Sequence, residues 1–156
     1  MRTIAFACIV IVVGSLSLLF DHRTSSSAAT PNSPFDDYGN ICWENEQARL
    51  DNFAIQLQNQ PTATGEIMVY AGRISCNDEA KYRGNRARDW LKKRGVPSHQ
   101  IIVKDGGFQQ EVRTILIVVP KGARSWDYPS SLSKEKVSVR RHCVGKVFTR
   151  VLCLNK

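Results

Sequence analysis

An α+β fold, two helices packed on one face of a mixed sheet of about four strands, is what this 156-residue sequence predicts. Three observations predict it. The stretch from Glu66 to Lys104 reads strand, helix, strand: an apolar run Ile67-Met68-Val69-Tyr70-Ala71, a basic amphipathic segment to Arg94, then Ile101-Ile102-Val103. A unit of that length joins parallel strands by a right-handed crossover. Upstream, Leu50, Phe53, Ala54 and Leu57 fall at i, i+3, i+4 and i+7, one apolar stripe of a helix. Downstream, Ile115-Leu116-Ile117-Val118-Val119 supplies a further strand.

Taken in order, residues 4–20 are an unbroken apolar or small run behind Met1-Arg2, followed by Ser25-Ser26-Ser27-Ala28-Ala29. Positive start, apolar core and small residues describe a secretory signal over residues 1–29. The run is also close to the length of a membrane anchor, so cleavage and retention both stand as readings. Either one exports the rest of the chain. The stretch from Asp21 to Pro34 is rich in Ser, Thr, Ala, Pro and Asn, which leaves residues 30–34 as a flexible spacer. A first strand is expected between Phe35 and Trp43 and a first helix over Asn45–Asn59, stopped by Gln60-Pro61. The second strand, Glu66–Gly72, is apolar on both faces, as in strands covered on both sides.

The second helix is expected over Asn77–Arg94, with Ala80, Ala87, Trp90 and Leu91 as its buried stripe. Its acids lie in the first turn and its bases in the last, which suits the helix dipole. Gly95 and Pro97 close it. A third strand follows at Gln100–Lys104. Asp105-Gly106-Gly107 reads as a turn, and Glu111–Pro120 as a strand returning in a hairpin. Residues 35–120 thus form one domain and residues 121–156 a basic tail. Ser125–Ser131 reads as linker, and Val137–Leu154 fits helical and strand periodicity equally.

Charge separates these parts. The sequence carries a net +8. Residues 35–120 hold eleven basic and eleven acidic side chains, whereas residues 121–156 hold nine and two. In an exported chain a tail of that sign points to an anionic membrane or envelope polymer, not to nucleic acid. Export also points the cysteines to disulfides. Cys42 ends the first strand and Cys76 follows the second. If those strands run parallel, the two lie at one end of the sheet, and a bridge closing about 35 residues would contribute about 3–4 kcal/mol. Cys143 and Cys153 pair with each other or with another chain.

The segment from Ala80 to Ile102 resembles the OmpA-like C-terminal domain of bacterial envelope proteins. Trp90-Leu91 stands where that family has Tyr-Leu, and Gly95-Val96-Pro97 and Ile101 follow at the family's spacing. Counting back from Leu91 places the family's helix arginine at Arg83, with Arg86 the rival. The element order over residues 35–120 agrees as well. The resemblance implies a non-catalytic periplasmic or outer-membrane-associated domain that binds peptidoglycan. In the family an aspartate and the helix arginine grip the diaminopimelate of the stem peptide, carboxylate to ammonium and guanidinium to carboxylate. Here Arg73 occupies the aspartate's place. Asp78 is left as a substitute carboxylate or a helix-capping charge, and Arg73 with Arg83 as holders of a changed, anionic ligand.

No other constellation points to chemistry. The sequence lacks a Gly-x-Ser-x-Gly elbow, a Walker loop, a Gly-x-Gly-x-x-Gly turn and any Cys-x-x-Cys. His22, His99 and His142 read as solvated residues. His142-Cys143 falls short of a metal-ligand spacing, so neither a metal nor another cofactor is expected. The cations of the second helix, among them Lys81, Arg86, Arg88, Lys92 and Lys93, read as a solvated face. The expectation is an exported envelope module, not an enzyme.

Overall fold

The computed structural model describes residues 33–125 and 128–140. The signal or anchor over residues 1–29, His22, His142, Cys143, Cys153 and most of the ambiguous Val137–Leu154 stretch lie outside them. The elements are β1 (Asp36–Tyr38), α1 (Trp43–Asn59), β2 (Thr64–Ala71), β3 (Ile74–Cys76), α2 (Glu79–Lys93), β4 (Ile101–Phe108), β5 (Arg113–Val119) and β6 (Ser138–Arg140). Among the described residues no helix is long and apolar enough to cross a membrane.

Four strands form a mixed sheet in the order β1-β5-β2-β4, and β3 with β6 makes a separate parallel pair. The fold is therefore α+β, as expected. β2 runs parallel to β4, and α2 is the crossover between them. β5 lies antiparallel to both β2 and β1. The expected hairpin between the last two sheet strands does not form, because β5 crosses beyond β2 instead of pairing with β4. Burial explains the choice. Thr114–Ile117 are buried and need a central slot, while Ile102 and Asp105 of β4 are exposed and suit an edge.

The expected turn at Asp105-Gly106-Gly107 is also corrected: all three residues belong to β4. Val69 pairs with Asp105 and Tyr70 with Gly107, so Gly106 is an extra residue in a bulge. A Cβ at Gly106 would fall on the Tyr70 ring, and Gly107 has φ +83°. Glycine is required at both for those reasons. The chain reverses three residues later, between Phe108 and Arg113.

One face of the sheet carries Ile67, Val69, Ala71, Ile101 and Leu116 against Leu50, Phe53, Ala54 and Leu57 of α1 and Ala80, Ala87 and Leu91 of α2. The helix ends are satisfied locally. The Gln100 side chain donates to the carbonyls of Leu57 and Gln60 at 3.1 and 2.8 Å, closing α1. Val96 N–H donates to Leu91 O at 3.1 Å, and Gly95 has φ +86°, closing α2 with a left-handed cap.

The other face carries Met68, Tyr70, Ile115 and Ile117, with Tyr128 packed on them. Of the stretch Ser125–Ser131, read above as linker, the described residues Ser125 and 128–131 lie against this face. The Tyr70 hydroxyl bonds to Tyr128 O, Lys104 Nζ donates to Ser125 Oγ at 2.7 Å, and Leu132 N–H donates to Phe108 O at 3.1 Å. β6 then pairs with β3 in register Cys76–Arg140. The packed unit accordingly extends past Pro120, the boundary expected from composition, to Arg140.

Candidate functional site

The three residues expected to hold a ligand are placed apart. Arg83 is only 5% exposed. Its Nε donates to Glu79 Oε1 at 2.9 Å and its Nη2 to Asn40 Oδ1 at 2.8 Å. Glu79 Oε2 in turn accepts the Cys76 N–H at 3.2 Å. These bonds tie the β1–α1 connection, α2 and the end of β3 to one another. The sequence signal for this inward placement was present. Arg83 falls on the stripe formed by Ala80, Ala87 and Leu91, with Glu79 one turn before it.

Arg86, read as solvated, is likewise an internal residue and corrects that reading. It pairs with Glu46, which is 2% exposed, and its guanidinium lies 4.2 Å from the centre of the Trp43 ring. The Tyr38 hydroxyl donates to the other oxygen of Glu46 at 3.4 Å. Burial pushes the Glu46 carboxyl above the ordinary carboxylate range, opposed by the charges of Arg86 and Arg83. Burial also pushes the Tyr38 phenol upward, helped by the charge of Glu46. Two carboxylates and two guanidiniums therefore share the buried seam between the helices. Sign balance is what makes such burial tolerable.

Asp78 lies at the start of α2 in a left-handed conformation, φ 57°, and its side chain makes no capping bond. It accepts from Asn77 Nδ2 at 2.9 Å. Asp78 occupies the N-cap position, while it is Glu79 that bonds back to the chain before the helix. Asp78 lines a cleft of about 280 Å³ that also holds Asp105 and Lys134. Arg73 lines a different cleft, beside Lys136, so it does not join Arg83 on one ligand. Among the described residues Cys42 and Cys76 are both disulfide cysteines. Cys42 immediately precedes α1 and Cys76 ends β3.

One trio resembles catalytic machinery. Lys104 Nζ lies 2.9 Å from Glu66 Oε2 and 2.7 Å from Ser125 Oγ, and Ser125 also bonds to Glu66. A serine–lysine dyad needs a neutral lysine as base. Here the lysine nitrogen is instead engaged by Ser125 and by the Glu66 carboxylate, which is 4% exposed. The trio pins the C-terminal segment to the sheet.

No protein-family model matches the chain, and no curated protein matches it in sequence.

Proposed function

We propose that the chain is an exported, non-catalytic domain of the cell envelope, OmpA-like in its element order, whose ligand arginine has become an internal strut. Its contact with the envelope passes to the basic stretch at residues 121–156, which engages anionic lipid headgroups or wall polymer. The observation that carries this reading is the engagement of Arg83 by Glu79 and Asn40 at 5% exposure. An arginine so held has little left to offer a stem-peptide carboxylate. Co-sedimentation of the full chain with anionic vesicles tests the reading. Changing Arg141, Lys146, Arg150 and Lys156 to glutamine, with the cysteines kept, should abolish association, as should raised salt. Association that survives both changes refutes it.

A second reading keeps peptidoglycan as ligand and moves it to the cleft at the start of α2. What favours it is the mixed charge of that cleft, Asp78 and Asp105 beside Lys134. A zwitterionic amino-acid head needs both signs. Retention on purified peptidoglycan that is lost in Asp78→Asn and Asp105→Asn supports this second reading over the first.

A further inference from the structure

The connection between β4 and β5 stands between two clefts that share Gln110 as a wall. The larger is about 720 Å³ and is lined by Arg73, Ile74, Leu132, Lys136 and Val137. The smaller, about 470 Å³, reaches Tyr38 and the Asp37–Arg113 ion pair. The two clefts meet at Gln110 in a groove across one end of the sheet, apolar and cationic on the larger side and polar on the smaller, where Glu111 adds a carboxylate beside the Asp37–Arg113 pair.

Two features of the larger cleft are unaccounted for by folding. Arg49, Arg83, Arg86, Arg94 and Arg113 each meet a carboxylate on another turn or element. Arg73 and Lys136 form no ion pair among the described residues, although Glu135 lines the same cleft. Two cations against one carboxylate leave the cleft positive. Beside them Ile74 is 63% exposed, more than any other large apolar side chain among the described residues. Ile74 shares the cleft with the part-exposed Leu132 and Val137, so a continuous apolar lining lies beside the uncompensated cations, the composition of a contact surface. The site is also prepositioned. Arg73 N–H donates to Gln110 O at 3.2 Å, and Arg73 O accepts Ser138 N–H at 2.9 Å, so its backbone is held from both sides.

We propose that this groove binds an extended acidic peptide, with carboxylates at Arg73 and Lys136 and an adjoining apolar side chain on Ile74, Leu132 and Val137. A peptide fits better than an anionic lipid because the groove continues past Gln110 into polar surroundings. A polypeptide carries hydrogen-bonding groups all along its length, whereas an acyl chain has none to offer there.

The test is fluorescence anisotropy of the full chain with a labelled, end-capped hexapeptide of alternating glutamate and leucine. Saturable binding is expected, and it should weaken with salt. Arg73→Glu and Lys136→Glu should each raise Kd about tenfold, Arg73→Gln should have a smaller effect, and Ile74→Ser should weaken binding without changing its salt dependence. Lys92→Glu on α2 should leave Kd unchanged. Thermal melts matching wild type tie each loss to the groove. Absent saturation, equal affinity for a glutamine–leucine hexapeptide, silent charge reversals, or loss only on neutralising residues 141–156 would each overturn the proposal.

Discussion

Replacing Arg83 by alanine distinguishes a strut from a ligand residue, and the size of the effect follows from its surroundings. The side chains of Arg83 and Glu79 are 6% and 8% exposed. Removing one partner of a buried ion pair leaves the other charge uncompensated, which costs about 3–5 kcal/mol. Glu79 keeps the Cys76 N–H, so the lower end, about 3 kcal/mol, is expected. For a domain of this size that is a fall in Tm of roughly 10–15 °C, a large share of a typical stability of about 5–15 kcal/mol. Circular-dichroism melts and urea titration read it directly. The double-mutant cycle with Glu79→Gln should return a coupling of at least about 1 kcal/mol. A Tm within about 2 °C of wild type, together with lost retention on peptidoglycan, would refute the strut and restore Arg83 to a ligand.

Three further outcomes follow from named contacts. Glu46 titrates above the ordinary carboxylate range in the fold, so the unfolded chain releases this proton first; the stability associated with Glu46 is full below about pH 4.5 and is lost as pH rises through the raised value. Urea midpoints against pH should show that falling limb in wild type, and Glu46→Gln should lack it. Tyr70→Phe removes the hydroxyl bond to Tyr128 O and should lower stability by about 1 kcal/mol while speeding proteolysis within residues 121–132, a site where unchanged cleavage rates would argue against the packed segment. Gly106→Ala would drive a methyl into the Tyr70 ring and should destabilise the fold by about 1–3 kcal/mol in a chemical denaturation curve; a neutral substitution would contradict the bulge.

The helices and the parallel crossover were legible because their signals are local. Leu50, Phe53, Ala54 and Leu57 mark α1, and Gly95 with Pro97 marks the end of α2. The apolar run Ile67–Ala71 even announced that β2 would be covered on both faces. What covers its second face was not legible, because residues 125–131 carry a linker's composition. The described part attaches through Ser125, Ser130, the Tyr128 carbonyl and the single Tyr128 ring, too few apolar groups to make a hydrophobic pattern. The position of β5 was missed for a related reason. Adjacent strands joined by a short connection suggest a hairpin, and only the burial of Thr114–Ile117 against the exposure of Ile102 sends β5 to the centre. The short β3 was hidden in a polar link, and its partner β6 lies more than sixty residues on.

The candidate site was less legible than the fold. Counting spacings located Arg83 on α2, but charge alone placed Arg86 in solvent. Its true surroundings depend on Glu46 and Trp43, forty or more residues away. A charged residue on an apolar stripe is a sign of a buried partner, and both arginines have one.

Competition with free diaminopimelate tests the central claim most directly. The full chain, bound to purified cell-wall sacculi, is challenged with an excess of diaminopimelate and, separately, with salt. The account predicts that salt releases the protein and diaminopimelate does not, because Arg83 is held by Glu79 and Asn40. Release by diaminopimelate at constant ionic strength, abolished in Arg83→Ala that remains folded, would contradict it.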